Sequence, residues 1–511
     1  MGGGLLQLVA HGAQDAYLSG NPQITFWKGL FKRHTNFAME PFRLNLTGMP
    51  AWGQKQSVTI NRHADLLYST YLDVVLPATY VNSSSQTVAI DWNNEQGRLG
   101  YNLLAYVELE IGGQVIDRLY SEYLYLWDTL TSDYNTSYKL YQMVGLGGDS
   151  RRTDGAPMAV TTLAGYGSTG TNTTTGVYGF QLPTQSSCVA ATGRANTNTP
   201  IFIPLPFSYT RNPGAALPLI ALQYHEVKIN LLWNKWQLVT ANFTGPMPPA
   251  PTSAAIYVDY IYLDVDERRR MAQESHEYLI EQVQFNEDKG VGAGNNRIDL
   301  TFNHPVKELI WVVQPDRFTN CKIADHTDVS GDYGVPRPVL QQAGQTSAAN
   351  VGAGVRLTPF TYTYLNQSSA GASLSAQRYT QPIREQRIQI NGQDRLDRRS
   401  GDYYNRVQPY QHHTGTMKPQ GFDTTPFKTG GQTAMSQQAI YSYSFALKPE
   451  ENQPSGTCNF SRIDTATILM DMSGDYLVDE TTDNIWNVRV YAINYNILRV
   501  MSGMAGLAYA N

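Results

Sequence analysis

The sequence predicts an all-β chain built from two tandem antiparallel sandwiches, each of a size that suits an eight-stranded jelly roll once its loops are included. Three observations carry this. The first is period-two alternation. Val107, Leu109 and Ile111 alternate with Glu108 and Glu110, and Val227, Ile229 and Leu231 alternate with Glu226, Lys228 and Asn230. Tyr491, Ile493, Tyr495 and Ile497 do the same near the end. One apolar face per strand is the pattern of a half-buried antiparallel sheet. The second is composition. Charged residues are 16% of the chain, and Gly (43), Pro (26) and Tyr (33) are plentiful. Such a chain lacks the Glu, Lys, Arg, Ala and Leu that clothe exposed helices, and it suits sheets joined by long loops. The third is an internal duplication.

The duplicated landmarks run in the same order. Val58-Thr59-Ile60-Asn61 leads through an apolar run to Val75-Leu76-Pro77, as Leu300-Thr301-Phe302-Asn303 leads to Val313-Gln314-Pro315. Ile111-Gly112-Gly113-Gln114 and Ile390-Asn391-Gly392-Gln393 each read as a hairpin with a glycine turn. Leu205 to Gly214 and Phe445 to Gly456 each run from an apolar strand into a proline-containing turn. Each copy closes on a Tyr-rich strand, Ile256 to Val265 and Val488 to Val500.

In chain order, the expected organisation is an amino-terminal arm (1–24), a first sandwich (25–265), a short connection (266–279) and a second sandwich (280–511). The connection carries the strongest helical pattern, Asp266 to Glu281, whose second half equally reads as the opening of a strand. It is charged and lacks a flexible Gly/Ser linker, so the two copies are expected to hold a fixed relation. Two Gly/Thr/Ser/Asn-rich stretches, Leu146 to Pro200 and Asp316 to Gln381, show no sustained apolar period and read as enlarged surface loops.

Chemistry is sparse. The net charge of −5 gives no basic field for phosphate neutralisation, so direct nucleic-acid binding is not expected. No stretch reaches the ~18 apolar residues of a membrane span. The amino terminus is a poor secretory signal, and its Gly2 context breaks the myristoylation motif at Leu6. Cys188, Cys321 and Cys458 are widely spaced and imply no disulfide framework. No GxxxxGK, HExxH or GxSxG occurs. Gly290 to Gly294 reads as a turn, and His225-Glu226 lies on a strand pattern with the wrong spacing for a zinc helix. His412-His413 are adjacent, so on extended backbone they point apart. Arg268-Arg269-Arg270 is balanced by Asp264, Asp266 and Glu267, and reads as a salt-bridged junction. The Arg-rich stretch Arg384 to Arg406 carries its own acids and reads as a solvated or interface face. Seven N-x-S/T sequons, from Asn45 to Asn459, are what an Asn-, Ser- and Thr-rich chain generates by chance. The expectation is no catalytic residue, no cofactor and no metal site. A neutral, Tyr- and Trp-rich surface suits packing against copies of itself.

Five stretches carry a family resemblance: Gly2 to Phe42, Ile203 to Leu231, Tyr260 to Gln282, Phe445 to Asp464 and Tyr491 to Asn511. They resemble the major capsid proteins of nucleocytoplasmic large DNA viruses, especially the algal- and amoebal-virus members. The resemblance implies a double jelly roll and a structural, non-enzymatic virion protein. It further implies homotrimers that form pseudo-hexagonal capsomers tiling an icosahedral shell. The partners it implies are neighbouring capsomers and minor capsid proteins at the inner face, with a lipid membrane inside the shell and assembly in the host cytoplasm. It places the arm, Gly2 to Gly20, at the capsomer base and the two enlarged loops at its crown. The rival readings are a secreted β-sandwich that binds or cleaves glycans, and a minor capsid protein of the same viruses.

Overall fold

The computed structural model describes residues 3–24, 26, 29, 31–77, 79–81, 87–90, 92, 98–145, 199–240, 247–315, 360, 362, 364–366, 378–380, 382–415, 439–472 and 486–509. Nearly all of the two predicted enlarged loops, including Cys188 and Cys321, lies outside the described residues.

Among the described residues, sixteen strands form the main paths of four principal sheets, with four short strands added at their margins. In the first copy they are β1 (Phe37–Asn45), β2 (Lys55–Ile60), β3 (Leu66–Leu76), β4 (Leu104–Ile111), β5 (Gln114–Tyr120), β6 (Thr199–Pro204), β7 (Val227–Trp233) and β8 (Ser253–Leu263). The second copy has β9 (His276–Val291), β10 (Gly294–Asp299), β11 (Pro305–Pro315), β12 (Ile383–Ile390), β13 (Gln393–Asp394), β14 (Ile440–Ser444), β15 (Ala466–Met472) and β16 (Trp486–Met501). The spatial orders are β1-β8-β3-β6 and β2-β7-β4-β5 in the first copy, then β9-β16-β11-β14 and β10-β15-β12-β13 in the second. Numbered within each copy, both therefore read 1-8-3-6 and 2-7-4-5, with antiparallel pairing throughout. This is the jelly-roll order, and it occurs twice, as the ordered repeat in the sequence predicts. A short strand, β17 (Met504–Leu507), folds back on the end of β16.

Local chemistry explains the repeated hairpins. Gly112 and Gly113 sit at φ 59° and 86°, and Asn391 and Gly392 at 50° and 76°. Two consecutive left-handed residues form the tight turn that matches strand twist, and Gly and Asn tolerate it best. Between the copies, a helix spans Val265–Gln273, capped by the Asp264 side chain on the Val265 N–H, and β9 follows at His276. The ambiguous stretch Asp266 to Glu281 is thus a helix followed by a strand.

Alternating side chains meet between the sheets of each copy. Leu67, Leu72, Val74, Ile229 and Leu231 line the first core, and Ile310, Val312, Ile468, Val488 and Val490 the second. Buried Trp233 and Trp311 satisfy their indole N–H groups on Gln56 (2.7 Å) and Gln386 (3.1 Å), so neither ring leaves a polar atom stranded.

Candidate functional site

Two features of the molecule bear on assembly: the seam that joins the sandwiches, and the apolar surface left uncovered at one end. At the seam, the outer edge of β9 lies along β5 and the turn after β6. Side chains replace the missing ladder. Asp117 of β5 accepts hydrogen bonds from the backbone N–H of Val283 (3.1 Å) and of Arg118 (2.9 Å). Gln282 donates to the Ile116 carbonyl, and the Glu281 N–H donates to the Ser208 hydroxyl at 3.0 Å. Burial pushes the Asp117 carboxyl up to about 7, against the opposing pull of those backbone donors and of Arg211.

Beside this edge lies an ionic cluster. Glu281 takes Arg211 from the first copy and Lys307 from the second. The Arg211 guanidinium lies 4.4 Å from the Trp127 ring centroid and donates to the Tyr123 hydroxyl at 3.2 Å. Lys307 is 1% exposed, and burial drives its pKa down while Glu281 pulls it back up. Fully buried cations persist in proteins only when paired in this way.

A second cluster centres on Glu122, in the helix Ser121–Thr131 that follows β5. Its carboxylate accepts from the hydroxyls of Tyr362 (2.8 Å) and Tyr491 (2.6 Å), and it pairs with Arg489 at 3.2 Å. All three partners come from the second copy. Rings close the space around it, with Tyr120–Phe285 at 4.8 Å and Phe285–Tyr491 at 5.1 Å between centroids.

The third tie is the turn at His413. The His413 imidazole sits between Glu308, which it contacts through Nε2, and Glu450, 3.0 Å from Nδ1. Both nitrogens face carboxylates, so the ring is held as a double donor. Burial alone would lower its pKa, but the two carboxylates outweigh burial and push it up to about 9. The next residues reach across the seam. The Thr414 hydroxyl lies within hydrogen-bond distance of Glu450 (2.6 Å) and of the Thr131 carbonyl (3.1 Å), and the Gly415 N–H donates to the Leu130 carbonyl at 2.7 Å.

The residues singled out in the sequence fall into structural roles. Arg268 pairs with Asp65 at 2.9 Å, and Arg270 with Glu274 at 3.1 Å. In the Arg-rich stretch, Arg387 pairs with Asp394, Arg398 with Glu385 and Arg406 with Asp402. Gly290 and Gly294, both at positive φ, flank the turn between β9 and β10. His412 bonds the Leu447 carbonyl at 3.1 Å, and Cys458 is a half-buried free thiol. The seam itself is what sequence reasoning missed. Glu122, Glu281, Lys307 and Arg489 look like ordinary strand or helix charges, and nothing in their spacing marks them as facing one another.

At the amino terminus, the helix Gly3–Val9 buries no residue, and Leu6, Leu8 and Val9 point to solvent. Tyr17, Leu18, Ile24, Phe26 and Phe31 are likewise exposed. Exposure continues into β1, whose first five residues are uncovered although they pair with β8. A single exposed apolar residue needs no explanation, but this many along one segment mark a contact surface.

The comparisons with known proteins agree with this architecture. The family model described as "Major capsid protein N-terminus" matches residues 25–264, and that of "Large eukaryotic DNA virus major capsid protein" matches residues 267–506. The major capsid protein of Pyramimonas orientalis virus is 41% identical over 515 residues, with 100% of both chains covered. That of Phaeocystis pouchetii virus is 40% identical, again with 100% of both covered. Among solved structures, the quasi-atomic model of the PBCV-1 virus capsid superposes with a TM-score of 0.63 at 30% identity, covering 95% of this chain and 100% of that one.

Proposed function

The chain belongs to the major capsid protein family of large eukaryotic DNA viruses, and from that premise we propose that it assembles as a homotrimer whose six sandwiches make one pseudo-hexagonal capsomer. As a major capsid protein it is a structural component of the virion shell. The carrying observation is the duplication itself. Two sandwiches of one strand order, locked side by side by buried polar ties, give each chain two similar sides. Three such chains around one axis then present six similar sides, which lets one capsomer meet its neighbours in a hexagonal array.

On this reading the chain is divided as an arm (1–24), a first jelly roll (25–265), a connection (266–279) holding the charged helix and the first residues of β9, and a second jelly roll (280–511). The arm contacts neighbouring capsomers or minor capsid proteins at the inner face. The shell encloses a lipid membrane, and assembly takes place in the host cytoplasm. The protein is not an enzyme and does not bind nucleic acid directly, in keeping with a net charge of −5 and with relatives named as capsid proteins. The test is abundance. In purified particles this chain should dominate the stained gel, whereas a trace band would make it a minor shell component.

A further inference from the structure

The exposed apolar arm has a matching surface at the same end of the molecule. Cross-strand pairing puts Leu279 opposite Ile497, Glu277 opposite Arg499 and Met501 opposite Met504, so these side chains share one face of the sheet formed by β9, β16 and β17. Leu279, Met501 and Met504 are 46%, 49% and 50% exposed. Tyr224, 76% exposed, stands at the rim. Its N–H donates to the Gly503 carbonyl at 2.9 Å, and its ring lies so close over Gly503 that an added Cβ would come within 2.5 Å of it. The Glu277–Arg499 pair on the same face, at 2.8 Å, is internally neutral. The face thus presents exposed apolar side chains around one neutralised ion pair.

The arm leaves the body nearby. Phe37 pairs with Leu263, which leads through the helix Val265–Gln273 into His276, and His276 pairs with Val500 beside the patch. From Asn21 to Asn36 the chain is long enough, when extended, to span roughly 50 Å. Residues 16–39 carry Lys28, Lys32 and Arg33 and no acid. With Asp15 counted against those three cations, residues 1–36 carry +2, so the remainder of a chain of net charge −5 carries −7. The arm is thus cationic and aromatic while the rest of the chain is net anionic, a complementarity that favours association between copies. Its rings stay in solvent on its own chain, with Phe26 and Phe31 at 105% and 94% exposure, while the patch beside its root is also bare.

We infer that the Leu279–Met501–Met504–Tyr224 face is the seat of the aromatic arm, residues 17–37, of a second copy of this chain. Each chain then gives one arm and offers one seat. Such a head-to-tail contact closes into a ring when the rotation permits, and it covers the seat with a segment of the same chain. The inference rests on the homotrimer reading and specifies which surfaces make it.

The test is site-specific photo-crosslinking of the full-length purified protein, with Phe31→p-benzoylphenylalanine. The expected product is a band at twice the chain mass on a denaturing gel, whose linked peptides map to residues 275–282 or 497–509 of the other chain. Links within one chain, links to another surface, or no link would overturn the seat. A link abolished by anionic lipid vesicles that co-sediment with the protein would also overturn it, by making lipid the occupant. The second variant, Met504→Asp, is on the surface and should leave the melting temperature unchanged while weakening association at least about tenfold, the size expected for losing one buried large apolar side chain. Unchanged association would count against the seat. A native mass of three chains with links elsewhere removes the seat and leaves the homotrimer reading standing. A monomer removes both.

Discussion

Replacing His413 with Gln tests whether a buried imidazolium pins the turn of the second sandwich whose next residues, Thr414 and Gly415, reach the first. The ring is 1% exposed and lies between Glu308, which is fully buried, and Glu450. Its pKa is raised from 6.5 to about 9. At 1.36 kcal/mol per tenfold, that rise stabilises the folded chain by about 3 kcal/mol while the ring is protonated. Because the folded value lies above the unfolded one, the contribution is complete below pH 6.5 and is lost as pH rises through about 9. His413→Gln removes the cation and leaves Glu308 a buried charge, whose second carboxylate oxygen already lacks a hydrogen-bond partner among the described residues. The expected cost near pH 7 is about 3 kcal/mol, in line with breaking one side of a buried pair. For a cooperative unit the size of one sandwich this lowers the melting temperature by about 6 °C. Calorimetry of both proteins from pH 6 to 10 measures it. The wild type should lose stability relative to the variant between about pH 6.5 and 9, so the two curves converge. Parallel curves would refute the buried imidazolium.

Asp117, raised to about 7 by burial, favours its neutral form in the folded chain, so its contribution falls away as pH climbs from about 4 through 7. Asp117→Asn keeps an acceptor for the Val283 and Arg118 N–H groups and should flatten that part of the stability–pH curve; an unchanged slope would contradict the assignment. Trp311→Ala empties the second core and strands the Gln386 side chain, at an expected cost of about 3–5 kcal/mol by chemical denaturation. A loss below about 1 kcal/mol would mean the site collapses freely. Deleting residues 2–20 removes no buried residue among those described and should preserve the fold while impairing shell assembly; normal particles would argue against a docking role for that segment.

The strands were legible because half-buried antiparallel sheets write their burial into a period of two. Val227, Ile229 and Leu231 are buried in β7, as the alternation with Lys228 requires. The duplicated hairpins were legible because Gly112-Gly113 and Asn391-Gly392 answer a steric demand of the backbone. Contacts between distant elements leave no such period. Glu122 and Arg489 are 367 positions apart and meet only once both sandwiches have formed. The abundance of tyrosine points towards intermolecular surfaces, yet Tyr123, Tyr362 and Tyr491 are buried at the internal seam and Tyr260, Tyr404 and Tyr441 in the cores. Aromatic bulk with a polar tip serves either place, and composition alone does not separate them. The arm was legible as a distinct segment, but its apolar run into β1 was not, because Phe37 and Met39 alternate as any half-buried strand does.

The central claim is that one 56.9 kDa chain supplies two sides of a six-sided unit. Light-scattering mass of the purified protein, with negative-stain imaging of the same sample, tests it most directly. The account predicts particles of about three times the chain mass with a hexagonal outline, as closed cyclic symmetry permits. A clean monomer under native conditions would contradict it.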